Sequence, residues 1–258
     1  MHFAFLGTSG AVPSATRDTT ALVFVADEGA LLIDCGGSPS AKLRRAGVDP
    51  LALTHVLITH LHADHAYGLP ALVQTLMLLG RERELVVMSR PEHLEPIQQV
   101  LRAFHVWDRP GAFPLRLAPT GTVAAPAVAL GRLRVSTAPN DHGSMPNYAV
   151  RLDVVDQPER GVVYSSDTAP CDTVVGLARG AHTLVHEATF PHRDRGRFGV
   201  HSTAREAGEV AARAGVRRLI LTHIEADYHD ELDALVAEAH KAFGGTAEIA
   251  REFVPYAI

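Results

Sequence analysis

Residues 54–68 read Thr-His-Val-Leu-Ile-Thr-His-Leu-His-Ala-Asp-His-Ala-Tyr-Gly. The first six, THVLIT, are nearly all apolar or β-branched, the composition of a buried strand. The next six place His60, His62, Asp64 and His65 side by side. Crowding three imidazoles and a carboxylate is costly unless something binds them. In an extended segment residues 60 and 62 point the same way. A turn into a helix at Tyr67-Gly68 then brings Asp64 and His65 to an adjacent position. Neutral imidazole and carboxylate together suit zinc and similar divalent ions.

Outward from this stretch, the chain alternates apolar strands with helical patterns. Residues 2–6, 20–26, 30–34, 84–88, 132–137, 147–155, 161–165, 182–186 and 217–222 read as further strands. Residues 68–79, 92–104, 203–214 and 230–242 read as helices, with another from 171 onward. The Gly/Pro/Ala-rich stretch 108–131 reads as irregular loop. No repeat or linker divides the chain, so a single α/β domain over 1–258 is expected. Three more candidate ligands each follow a strand: His142 after 132–137, Asp167 after 161–165 and His223 after 217–222. Open α/β folds build their sites from loops at one end of the strands, which favours a common location.

Composition narrows the function classes. Of 258 residues, 47% are hydrophobic, which excludes wholesale disorder. No apolar run is long enough for a spanning helix, and MHFAFLGTSGAVPS lacks the basic start of a signal peptide. No membrane association and a cytoplasmic location are expected. The net charge is −5, and the one basic cluster is Arg193, Arg195 and Arg197, so binding nucleic acid through a generally basic surface is not supported. Cys35 and Cys171 form neither a disulfide framework nor a C-x-x-C zinc site.

The chain resembles the metallo-β-lactamase superfamily, and within it ribonuclease Z and its phosphodiesterase and arylsulfatase relatives. The resemblance rests on FLGTSGAVPSATR (5–17), LLIDCGG (31–37), THLHADHAYGLP (59–70), DH (141–142), YSSDT (164–168), HEATF (186–190), HST (201–203) and LTH (221–223). It implies a four-layer αββα sandwich with a dinuclear metal site between two sheets. By position, His60, His62 and His142 hold one ion, Asp64, His65 and His223 the second, and Asp167 bridges them. Zinc is the default, with manganese or iron as alternatives. Asp64 counts among the catalytic residues as well. The resemblance also pairs Glu187 with His201 as a proton-donating dyad and implies a homodimer.

Two divalent ions balanced by Asp64, Asp167 and a bridging hydroxide leave a net charge of about +1, which attracts an anionic diester. Coordination lowers the pKa of water toward roughly 7, so the chemistry expected is hydrolysis. An alkyl leaving group then needs a proton, for which His201, oriented by Glu187, is the candidate donor. Ribonucleases Z that process tRNA carry an arm between the counterparts of His142 and Asp167, whereas here 24 residues separate them and two strands use most of these. Glu225-Ala226-Asp227-Tyr228 also stands where those enzymes tend to place a Ser and an Arg. The expected substrate is thus a phosphodiester, RNA with tRNA 3′ processing included, or a small molecule. The alternatives are an arylsulfatase-like or cyclic-nucleotide phosphodiesterase and, further off, a lactone or thioester hydrolase. A non-catalytic metal-binding protein is disfavoured because all seven ligands are present. Arg17 is a candidate phosphate contact or loop residue, and Trp107 and Phe113 are candidates for cleft, dimer contact or core. His186 is expected to be buried in its strand. His2, His55, His93, His105, His182, His192, His229 and His240 are expected at the surface or in the core.

Overall fold

The computed structural model describes residues 1–120, 125–197 and 199–258; the side chains of 125–129 and 158 are not described. Six strands open the chain: β1 (His2–Gly7), β2 (Ala21–Ala26), β3 (Gly29–Ile33), β4 (Leu53–Leu57), β5 (Leu85–Ser89) and β6 (Leu115–Pro119). Then come β7 (Ala125–Leu130), β8 (Leu133–Pro139), β9 (Tyr148–Val154), β10 (Gln157–Tyr164), β11 (Thr183–Glu187), β12 (Arg218–Thr222) and β13 (Thr246–Ile249). The last strand, β14 (Pro255–Ala257), returns to pair with β1. Two seven-stranded sheets result, ordered β14-β1-β2-β3-β4-β5-β6 and β13-β12-β11-β10-β9-β8-β7.

Strand alternation explains the layers. In β1, Phe3 and Phe5 face the opposite sheet while Ala4 and Leu6 face the helices, and in β2 Leu22 and Phe24 alternate likewise with Ala21 and Val23. The inter-sheet core joins these to Val150, Leu152, Tyr164, Val185 and Ile220 of the second sheet. Outside the first sheet pack α1 (Pro39–Arg45), α3 (Leu69–Leu78) and α4 (Pro91–Ala103), preceded by the one-turn α2 (Ala63–Ala66). Outside the second sheet pack α5 (Asp172–Ala178), α6 (Ala204–Ala214) and α7 (Leu232–Phe243). The fold is therefore an αββα sandwich, as the sequence implies.

Several expectations are corrected. The stretch 108–131 is not simply loop, because β6 and β7 lie within it; residues 121–124 fall outside the described residues. β6 is short and half-exposed at a sheet edge, so it lacks the apolar run that marks a central strand. α1, β13 and β14 were not anticipated, and the single helix over 68–79 follows a separate turn of helix, α2. Thr203 caps α6, in a capping box with Glu206. Phe113 is buried in the core outside the first sheet, and Trp107, partly buried, packs against that core. Among the described residues, no helix is long and apolar enough to cross a membrane.

Candidate active site

The stretch 58–65 leaves β4, passes through an extended segment and turns into α2, so the four polar side chains of the motif gather over the ends of the strands. A second turn, 34–37, clamps it: Cys35 N–H donates to His65 O at 2.7 Å, and Gly68 N–H donates to Cys35 O at 2.8 Å. Gly36 makes the approach possible, because a Cβ there would lie 2.0 Å from Asp64 O. Asn140, after β8, donates to Ser165 O and Asp167 O, which sets the loops carrying His142 and Asp167 side by side.

The structure brings all seven candidate ligands together. His60 Nε2, His62 Nδ1 and His142 Nε2 converge, with His62 Nδ1 3.1 Å from the first and 3.2 Å from the second. Asp167 Oδ2 lies 3.7 Å from His60 Nε2, 3.2 Å from His65 Nε2 and 3.1 Å from His223 Nε2. Asp64 Oδ2 is 3.2 Å from His65 Nε2 and 3.7 Å from His223 Nε2. Two donor sets result, His60/His62/His142/Asp167 and Asp64/His65/Asp167/His223, sharing Asp167.

In four of the five imidazoles the other ring nitrogen, Nδ1, is engaged. His65 Nδ1–H donates to Asp34 Oδ2 at 2.8 Å, and His142 Nδ1–H to Val200 O at 3.1 Å. His60 Nδ1 lies 3.1 Å from Thr59 Oγ1, and His223 Nδ1 lies 3.1 Å from Thr189 Oγ1. Both hydroxyls give their protons to carboxylates, Thr59 to Asp34 and Thr189 to Glu187, so each accepts from the imidazole. In each of these four rings Nε2 is therefore the nitrogen aimed into the cluster. Among the described residues, His65 Nε2, His223 Nε2 and Asp167 Oδ1 are buried without a hydrogen-bond partner. Buried polar atoms without partners are expensive, and convergent imidazole and carboxylate donors fit divalent ions. Three non-glycine residues carry positive φ here, Asp34 at 62°, Ser166 at 52° and His223 at 55°. Such backbone costs about 1–3 kcal/mol each and tends to collect where geometry serves function.

Protonation follows the same arrangement. Burial, reinforced by neighbouring imidazoles, holds His60 well below the usual histidine range. Burial opposes protonation of His65 and His223 too, but Asp167 and its carboxylate neighbours outweigh it; His65 lies well above the usual range, and His223 is raised to about 10. The carboxylate of Asp167 is held ionised against its own burial by His223 and His65.

Beside the cluster stands the pair Glu187–His201. His201 Nδ1–H donates to Glu187 Oε1 at 2.8 Å, and its ring centre lies 5.1 Å from that of His142 and 5.4 Å from that of His223. Glu187 ends β11 with no exposure and accepts from Thr168 N–H, Ser202 N–H and Thr189 Oγ1–H as well. Despite its burial the carboxyl is held below its ordinary value by His201, whose own pKa rises, against burial, through Glu187.

Other candidates fall away from the site. Arg17 donates to Thr8 Oγ1 at 2.7 Å and to Ala250 O, as a loop residue. Arg193, Arg195 and Arg197 are paired with Glu231, Glu206 and Asp227, which neutralises the basic cluster. His186 is buried in β11, its Nδ1 2.7 Å from Glu187 O. Sequence reasoning gave no role to Asp34, Thr59 or Thr189; the one available signal for Asp34 was a charged residue closing the apolar strand LLI.

Residues 1–242 match the protein family described as "Anti-Pycsar protein Apyc1". Ribonuclease Z of Haloferax volcanii is 33% identical, over 100% of this chain and 96% of its own, and that of Methanothermobacter thermautotrophicus is 32% identical over 88% of each. This chain is a ribonuclease Z-like hydrolase of the Apyc1 family. The metallo-β-lactamase fold protein YhfI from Bacillus subtilis superimposes with a TM-score of 0.84 at 25% identity, covering 99% of this chain and 98% of YhfI. Human tRNase Z, short form, gives 0.80 at 22% identity, over 100% and 99% of the two chains, which speaks for the fold. The enzyme is thus a metal-dependent phosphodiesterase of ribonuclease Z type, on the fold that its sequence implies. The alignment with the Haloferax relative runs over 310 positions against 258 residues here, so the relative carries segments that this hydrolase lacks.

Proposed function

We propose that this hydrolase cleaves small phosphodiesters with alkoxide leaving groups, and that Glu187 and His201 deliver the proton the leaving oxygen needs. The observation that carries this reading is the 2.8 Å contact of His201 with the buried Glu187, on the rim of two donor sets that share Asp167. His60, His62 and His142 would hold one divalent ion and Asp64, His65 and His223 the other, with Asp167 within reach of both. When bound, the ions supply positive charge toward the phosphoryl oxygens and an activated water. Imidazole and carboxylate donors without a thiolate suit zinc first and also accept manganese or iron.

The chain's own groups do the rest. Asp64, whose side chain is 11% exposed, is the carboxylate that accepts a proton from the attacking water. Glu187 holds the His201 ring by Nδ1–H and stabilises its cationic form, so that Nε2 carries a proton toward the cleft. As the P–O bond breaks, the proton on Nε2 passes to the departing oxygen.

Size selection follows from what joins β8 to β11. The 24 residues between His142 and Asp167 form the hairpin β9–β10 and its flanking loops, with no length left for a tRNA-gripping arm. A second reading, tRNA 3′ processing, is favoured by the relatives named ribonuclease Z. The two separate on a 3′-extended precursor tRNA assayed beside bis(p-nitrophenyl) phosphate: turnover of the small diester alone supports our reading, and efficient cutting at the discriminator base overturns it. For the dyad, His201→Ala should slow alkyl diesters far more than nitrophenyl diesters, whose leaving groups need little protonation. Equal losses on both remove His201 from this role.

We also propose that all 258 residues form one catalytic unit, since β14 and β1 from opposite ends of the chain pair in one sheet. Self-association as a homodimer is supported by Tyr67, Val100 and Phe104, exposed apolar side chains lining one groove of about 310 Å³. Free Cys35 and Cys171 fit a reducing, cytoplasmic setting.

A further inference from the structure

Thr189, two residues beyond Glu187, is 2% exposed and lies between the proton donor and the donor cluster. Its hydroxyl meets three functional side chains: Glu187 Oε2 at 2.7 Å, His223 Nδ1 at 3.1 Å and His201 Nδ1 at 3.3 Å. A hydroxyl has one proton and two lone pairs. The carboxylate accepts only, so the proton goes to Glu187. The lone pairs face the two imidazoles, and His223 Nδ1–H donates to one of them. Because His201 already gives its Nδ1–H to Glu187 Oε1 at 2.8 Å, its contact with Thr189 is the secondary one.

The backbone of Thr189 ties the same two loops. Its N–H donates to Ser202 O, next to His201, and its carbonyl accepts from Glu225 N–H, two residues past His223. Neither bond involves the hydroxyl, so a variant that keeps the backbone N–H tests the hydroxyl separately from the loop.

We propose that Thr189 is a positioning residue whose single hydroxyl locks the metal-side imidazole of His223 and the Glu187–His201 pair into one register. It holds His223 with Nε2 free to ligate, and it holds Glu187 where it can orient His201. The placement of the His223 ring relative to the His201 ring thus runs through one side chain. This inference rests on the roles proposed above for His201 and His223.

The test uses Thr189→Val, which keeps the β-branched shape without the hydroxyl, Thr189→Ser, which restores it, and His201→Ala. Two quantities are measured on full-length protein: zinc affinity by competition with a chromophoric chelator, and the ratio of turnover of an alkyl diester to that of a nitrophenyl diester. Thr189→Val should lose about tenfold or more in zinc affinity at one site and in the substrate ratio, the scale of lost outer-shell contacts. Thr189→Ser should regain both. Loss of only one quantity, loss of neither, or no recovery in Thr189→Ser overturns the coupling. If Thr189→Val does not fold, ring ¹⁵N shifts of the zinc-loaded wild type decide. They should report His223 protonated at Nδ1, and protonation at Nε2 overturns the proposal. Failure of the underlying dyad has a separate signature: His201→Ala then loses equally on both substrates, whatever Thr189→Val does, and the coupling falls with it.

Discussion

Asp34 lies wholly inside the protein and satisfies three donors at once: His65 Nδ1–H at 2.8 Å, Thr59 N–H at 2.8 Å and Thr59 Oγ1–H at 2.9 Å. Asp34→Asn changes neither volume nor shape, but it replaces one acceptor oxygen with a donor. If the amide nitrogen takes the Oδ2 position, it opposes His65 Nδ1–H; turned the other way, it opposes Thr59 N–H. Either orientation leaves a buried N–H without an acceptor, at about 1–3 kcal/mol. The alternative escape is for His65 to move its proton to Nε2, the atom that faces Asp64 and Asp167. That removes the lone pair a cation needs. Lost outer-shell partners typically weaken a site by about 10–100-fold, or about 1.4–2.8 kcal/mol. Competition with a chromophoric chelator, on a variant shown folded by circular dichroism, measures the change. A folded Asp34→Asn protein that binds two equivalents of zinc with wild-type affinity would refute the reasoning.

Glu187→Gln addresses pH dependence. The acid must be protonated to act, and Glu187 raises the pKa of His201 against the effect of burial. Turnover of an alkyl diester should therefore fall as pH rises through that raised value, and removing the charge should shift the fall to lower pH. An alkaline limb unmoved in the kcat profile contradicts this. Asp167→Ala removes the oxygen that both donor sets share. Elemental analysis of the purified variant should find substantially less metal per chain, and retention of two ions would exclude a bridging role.

What the sequence made legible was local. His60, His62, Asp64 and His65 fall within one turn, so spacing alone puts their donors together. His142, Asp167 and His223 are recognisable because each closes an apolar strand, and strand ends on one side of a sheet are neighbours. Asp34, Thr59 and Thr189 were out of reach for the opposite reason. Their roles depend on partners distant in the chain: Asp34 on His65, 31 residues on, Thr59 on Asp34, 25 residues back, and Thr189 on His223, 34 residues on. The edge strands β6, β13 and β14 were likewise hidden, since half-exposed strands carry little apolar pattern and gain their definition from the neighbour they pair with.

One titration shows whether phosphodiester cleavage by this protein needs two divalent ions. Protein stripped with a chelator is reloaded stepwise with zinc, and bis(p-nitrophenyl) phosphate turnover is recorded at each addition. No turnover is expected without metal, followed by a rise that saturates at two equivalents per chain. Full turnover in the stripped protein, or none after two equivalents have bound, would contradict it.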